Sequence, residues 1–158
     1  MYSDDAAPGN SGEARDRPVS QKGAMSMASV NQASINQAAV VAELTQLAEQ
    51  YERALGENDL DTLDALFWDS AAVVRFGATE NLYGIDAIRQ FRQHRPTQNL
   101  ARTVSQFKVV TFGETAGAVT LEFCRWVEGE PRYGRQSQMW YKFPEGWRIV
   151  SAHVSWLG

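Results

Sequence analysis

Arg75 stands in a short apolar run, Val73-Val74-Arg75-Phe76, whose residue types read as a β-strand. Alternation puts Arg75 on the same side as Val73, and beside a layer of helices that side is covered. A covered guanidinium needs a carboxylate or an anionic ligand, because an unpaired buried charge is costly. Glu80 and Glu122 are the acids that would make a plain salt bridge, and an edge strand that leaves Arg75 wet is the remaining alternative. Arg125, between Phe123 and Val127 at period two, poses the same question. Arg102 and Arg135 fall at strand beginnings, where exposure is the simpler expectation.

Tyr51 sits on an apolar helical stripe and is first of all a core residue whose hydroxyl needs one partner. A guanidinium facing that hydroxyl would favour the phenolate and make Tyr51 a proton-transfer group. His153 shares a strand face with Ser151 and Ser155, opposite Ala152 and Val154, so it faces either solvent or a cavity. His94 and His153 are the only histidines and carry no metal-ligand spacing, so no metal is expected. There is no phosphate-binding glycine loop, dinucleotide fingerprint or serine nucleophile elbow, and no organic cofactor is expected. Cys124, the single cysteine, lies within an apolar strand and reads as a small buried hydrophobe. It excludes an intrachain disulfide and fits a reducing, cytoplasmic setting.

The elements that must position these residues follow from periodicity. Ser34-Ile35-Asn36-Gln37 fits a capping box, and Val40, Leu44, Leu47, Tyr51 and Leu55 continue as one helical stripe stopped by Gly56 and Asn58. Asp59 caps a shorter helix with Leu60, Leu63, Leu66 and Phe67 inward; Asp61 and Asp64 are solvated acids rather than calcium ligands. A strand over 73–76, a loop over 77–84 and a helix over 85–92 come next. Four β-rich segments, about 101–112, 116–127, 133–143 and 147–157, are joined by short turns into an antiparallel meander. The class is α+β, with three helices ahead of the long sheet and packed on one face.

Composition bounds the function. The 158 residues suit one domain, and 44% hydrophobic with 22% charged residues supplies a core. Fifteen basic residues against nineteen acidic ones argue against nucleic acid or an anionic membrane as partner, and no apolar run is long enough to span a bilayer. Residues 1–29, rich in Ser, Gly, Ala, Asp and Arg, read as a flexible extension without a signal peptide, with the folded domain over 30–158.

The order of elements, with Tyr83-Gly84-Ile85 opening the third helix and Gly146-Trp147-Arg148-Ile149-Val150 before His153-Val154-Ser155, resembles the nuclear transport factor 2-like superfamily. Phe67-Trp68, Arg75-Phe76-Gly77, Glu80 to Ile85, Phe91-Arg92, Arg95-Pro96 and Leu100-Ala101-Arg102 are similar to the AtzH and HpxZ family within it. The resemblance implies a conical, strongly curved sheet wrapped by helices around a pocket, and a homodimer or higher homo-oligomer through the outer sheet face. It also implies bacterial proteins associated with amidase systems of nitrogen catabolism, in cyanuric acid and oxalurate pathways. For the AtzH branch the implied activity is decarboxylating hydrolysis of 1,3-dicarboxyurea to allophanate, with Tyr51 and Arg75 catalytic. Arg102, Arg125 and His153 are then candidates for binding the small anionic substrate. Steroid isomerases of the superfamily pair a helix tyrosine with a carboxylate base, where this chain has Arg75, which is no base near neutral pH. The terminal segment also resembles the association domain of calmodulin-dependent kinases, whose pocket arginine would fall on Arg125. That makes a non-catalytic anion-binding or oligomerisation module, accompanying an amidase system, the second reading.

Removing residues 1–29 is expected to leave the melting temperature and the oligomeric state unchanged, by calorimetry and sedimentation. A change in either would mean that the extension packs on the fold.

Overall fold

The computed structural model describes residues 34–158, so the expected extension over 1–29 lies outside the described residues. The first helix, α1 (Ala38–Glu57), buries Val40, Leu44, Ala48, Tyr51, Ala54 and Leu55 along one stripe. It stops at Asn58, whose left-handed backbone (φ 53°, ψ 40°) is the conformation asparagine tolerates at a helix end. Its start differs from the capping-box expectation, because Gln37 is the residue that precedes the first turn and its side chain makes no capping bond. The Asn36 N–H donates to the Thr111 carbonyl (3.0 Å), and the Thr111 N–H donates to the Asn36 side-chain oxygen (2.9 Å). Pairing to a sheet edge has replaced local capping.

Asp59 caps α2 (Leu60–Leu66) as expected, accepting from the Thr62 N–H at 3.2 Å and from its hydroxyl at 2.6 Å. Those bonds hold the Asp59 carboxyl below the ordinary carboxylate range, so the cap is fully formed above that range and fades only as pH falls through the lowered value. Phe67 leaves the helix extended and buried, and the Trp68 N–H donates to Ile149. This contact aims the chain along the last strand of the sheet.

There follow β1 (Val74–Phe76), β2 (Asn81–Tyr83), α3 (Ile85–His94), β3 (Thr103–Phe112), β4 (Ala116–Val127), β5 (Glu130–Phe143) and β6 (Gly146–Trp156). They form a six-stranded sheet in the order β2-β1-β6-β5-β4-β3. The four long strands make the expected antiparallel meander, but β1 lies parallel to β6, so the sheet is mixed. The segment expected to be a loop over 77–84 contains β2, three residues held by a hairpin to β1 and too short to carry a periodic signal. Register shifts between Ser105 and Lys108 and between Met139 and Trp140 interrupt the ladders, and such bulges bend strands. The α+β class and the curved, open sheet both hold.

The helices cover the inner face, where Val119, Trp140, Ile149 and Ala152 meet the α1 stripe, with Leu63, Phe67 and Ile88. Val110, Phe112, Trp126, Tyr133, Met139 and Tyr141 are exposed, and strand alternation places them together on the outer face. Cys124, paired with Tyr133, belongs to that outer face and is half-buried, not the core hydrophobe expected from its strand. No helix among the described residues is long and apolar enough to cross a membrane.

Leu44 is wholly buried, and its Cδ2 methyl occupies the place a side chain at Gly117 would need. Leu44→Ala is expected to destabilise the fold by about 3–4 kcal/mol. Urea unfolding should show a lower midpoint with an unchanged slope. A loss under about 1 kcal/mol would mean that α1 is not anchored here.

Candidate functional site

A cavity of about 270 Å³ opens between α1, the segment after α3 and the inner face of the sheet. That is room for about nine waters, so the occupant is small. The helix supplies Tyr51, β1 supplies Arg75, the β1–β2 turn Glu80, the segment after α3 Arg95 and Arg102, and β4 Arg125. Phe91, Phe123, Val154 and Trp156 complete an apolar wall.

Arg75 is inward because it pairs in register with buried Ala152 of β6, and its side chain is 11% exposed. It donates to Glu80 at 2.9 Å and lies 5.2 Å over the Phe91 ring. Of the partners considered for it, Glu80 is the one found. The second Glu80 oxygen accepts from the Thr79 N–H (3.2 Å) and hydroxyl (2.9 Å). A Cβ on Gly77 would collide with this carboxylate, so glycine there is what lets Glu80 reach Arg75.

Arg102 corrects the expectation of exposure. Its side chain is 4% exposed, donates to both oxygens of Glu52 (3.0 and 2.6 Å) and to Gln136 (2.7 Å), and lies 4.4 Å over Phe123. It precedes β3 at a point where the inner face is already closing, and Glu52 of α1 reaches across to it. His153 corrects the expectation of a substrate contact. Its register partner is Ser137 on the outer face, Ala152 and Val154 take the inward positions, and its ring meets the edge of Phe76. It is exposed and does not line the cavity.

Arg125 and Arg95 are partly buried and have no carboxylate among the described residues. Arg125 donates to the Leu100 carbonyl at 3.4 Å and Arg95 to the Asn58 side-chain oxygen at 3.3 Å, and the Nε of each is buried without a partner. Behind them Arg92, 5% exposed, lies 4.5 Å over the Phe67 ring with Nε and one terminal nitrogen unpartnered. Burial pushes all three guanidinium pKa values down. Tyr51 opposes the shift most strongly at Arg92 and Arg95, while repulsion from Arg75, among others, deepens it at all three. Guanidinium does not deprotonate in proteins, so an anion is the available relief.

Five guanidiniums (Arg75, Arg92, Arg95, Arg102, Arg125) thus meet two carboxylates, Glu52 and Glu80, among the described residues. Arg92 and Arg95 escaped the sequence reading because basic residues at a helix end are ordinary. The available signal was spacing: Ile85, Ile88 and Arg92 share one buried stripe. No group of three or more His, Cys, Asp or Glu among the described residues could hold a metal ion.

A helix-wrapped, curved open sheet enclosing a polar pocket defines the chain as a cystatin-like, nuclear transport factor 2-like protein, and the solved structures similar to it agree. A protein of unknown function from Pectobacterium atrosepticum is 46% identical, covering 79% of this chain and 96% of its own, with a TM-score of 0.76. A cystatin-like fold protein from Burkholderia xenovorans is 38% identical over 78% of this chain and 96% of its own, TM-score 0.73. A ketosteroid isomerase-like protein from Erwinia carotovora shares the fold at 16% identity, 75% and 96% coverage and TM-score 0.62. The chain belongs to the AtzH-like family, whose model matches residues 33–158. Comparison with curated proteins gives no match.

Glu52→Ala would leave the Arg102 guanidinium buried and unpaired, and an expected loss of about 3 kcal/mol follows for breaking such a pair. Chemical denaturation checks it. A change within about 0.5 kcal/mol would mean that Gln136 alone satisfies Arg102.

Proposed function

We propose that this protein is a small, cofactor-independent amidohydrolase of the cytoplasm that decarboxylates 1,3-dicarboxyurea to allophanate, or a closely related carboxylated urea or amide. The single observation that carries the reading is that Tyr51 and Arg75 line one small cavity together with three further guanidiniums, Arg95, Arg102 and Arg125. Membership of the AtzH-like family supports it.

The chemistry is simple to balance. The bond between a terminal carboxylate carbon and its urea nitrogen breaks, the bond pair stays on nitrogen, and that nitrogen takes a proton. The dianion and one proton give allophanate and carbon dioxide, which water then hydrates to bicarbonate. Arg75, steadied by Glu80, offers its remaining donors to a substrate carboxylate and to the negative charge that grows on the departing nitrogen and the urea carbonyl conjugated with it. Tyr51 relays a proton to the departing nitrogen or from water. Arg125 and Arg102 shape the anionic pocket around the substrate. The outer aromatic face suits a homodimer, which leaves the cavity on the inner face free.

Turnover separates this from a non-catalytic anion-binding module. Purified, metal-stripped protein should accelerate conversion of freshly generated 1,3-dicarboxyurea to allophanate and carbon dioxide. Tyr51→Phe should reduce turnover by about a hundredfold or more while largely preserving binding. Arg75→Lys keeps the charge but loses the fork, so it should weaken both. No acceleration over the spontaneous reaction, or near-wild-type turnover in both folded variants, sinks the proposal.

A further inference from the structure

The cavity arginines fall into two classes by what holds them. Arg75 and Arg102 are ion-paired, to Glu80 and Glu52. Arg95 and Arg125 are steered by neutral acceptors, the Asn58 amide oxygen and the Leu100 carbonyl. A neutral acceptor fixes a guanidinium's direction without cancelling its charge. The positive charge left over at the cavity wall is therefore concentrated at Arg95 and Arg125, near enough to Arg75 for its charge to disfavour both.

We infer that Arg95 and Arg125 form an anion clamp that holds one carboxylate of a dianionic ligand while its other end lies at Arg75, making the cavity selective for small dicarboxylates over monocarboxylates. The clamp rests on the reading that this cavity is the substrate site. Three observations support it. Both guanidiniums line the same cavity, from opposite elements, the segment after α3 and β4. Each has a buried Nε with no partner, so the charge of each is desolvated without a compensating hydrogen bond at that atom. Each is disfavoured by burial and by Arg75, and Arg95 is disfavoured by Arg125 as well, so an anion placed between them relieves both. The remaining groups that face them, Tyr51, Glu80 at Arg95, and Arg102 with Glu52 at Arg125, do not neutralise the pair. Arg95 is thereby a binding residue that its place just past a helix end conceals.

Malonate and acetate are the probes, titrated into the full chain in a buffer of bulky anions, with affinity by calorimetry and melting temperature in parallel. Wild-type protein should bind malonate at least tenfold more tightly than acetate and gain melting temperature with it. Arg95→Gln and Arg125→Gln should each lose tenfold or more in malonate affinity, with no fall in melting temperature in the absence of ligand, because each removes an uncompensated charge. If either glutamine variant fails to fold, Arg95→Lys and Arg125→Lys take its place: they keep charge without the fork and should retain the fold and only part of the affinity. Equal affinity for malonate and acetate in wild-type protein, or unchanged malonate affinity in the folded variants, overturns the clamp. Malonate binding that depends on Arg95 and Arg125, without turnover of 1,3-dicarboxyurea, upholds the clamp and overturns the decarboxylation reading; turnover with unchanged malonate binding in the variants does the reverse.

Discussion

An uncompensated cluster of guanidiniums in a largely apolar interior is the constraint around which the rest of this molecule is arranged. Four arginines line one small cavity, with Arg92 buried behind them and two carboxylates, Glu52 and Glu80, paired to the group, and a guanidinium cannot lower the cost by losing its proton. The fold tolerates the arrangement because aromatic faces take up part of the burden: Phe91 under Arg75, Phe67 under Arg92 and Phe123 under Arg102. Each of those rings is also a packing element, so the charge cluster and the apolar wall are one construction. A core built only for stability would replace such a cluster with hydrophobic residues. Its presence is what the proposed binding role rests on.

Position is supplied by three connected devices. The α1 stripe is pressed onto the sheet at Leu44, which fixes the height at which, about two turns further along, Tyr51 meets the cavity and Glu52 meets Arg102. The Trp68 contact to Ile149 starts the chain along β6, and the parallel register of β1 then places Arg75 beside Ala152 on the inner face. The turn at Gly77 lets Glu80 fold back under Arg75. A shift of one residue in the β1 register would send Arg75 to the outer face, where Phe76 and His153 now lie.

Much of this was legible in the sequence, for reasons that can be named. The α1 stripe, the Asp59 cap, the four long strands and the placement of Arg75 on a covered face all follow from local periodicity, which acts over a few residues. The parallel pairing of β1 with β6 was not legible, since it joins residues more than seventy positions apart and leaves no local mark. The capping box at Ser34 was a sound local signal defeated by a tertiary one, the tie of Asn36 to Thr111. His153 was left open between solvent and cavity because alternation gives the two faces of a strand without saying which is inward. Arg102 was misjudged because the acid that buries it, Glu52, comes from a helix fifty residues earlier.

The same fold in a ketosteroid isomerase-like protein shows how little the scaffold itself decides. In this chain the curved sheet and its helices supply a cavity lined by Tyr51 and an inward position on the first strand, which Arg75 holds. A carboxylate there would make a base, able to abstract a proton and dependent on an apolar, neutral substrate to avoid repulsion. Arg75 reverses the sign. It cannot accept a proton near neutral pH, so under the proposed function proton transfer falls to Tyr51 or to water, and the excess guanidinium charge favours an anionic ligand over a neutral one. Glu80 then acquires a role that its charge alone would not suggest. It takes one terminal nitrogen of Arg75 and fixes the guanidinium at the wall of the cavity, the orientation on which the proposed function relies.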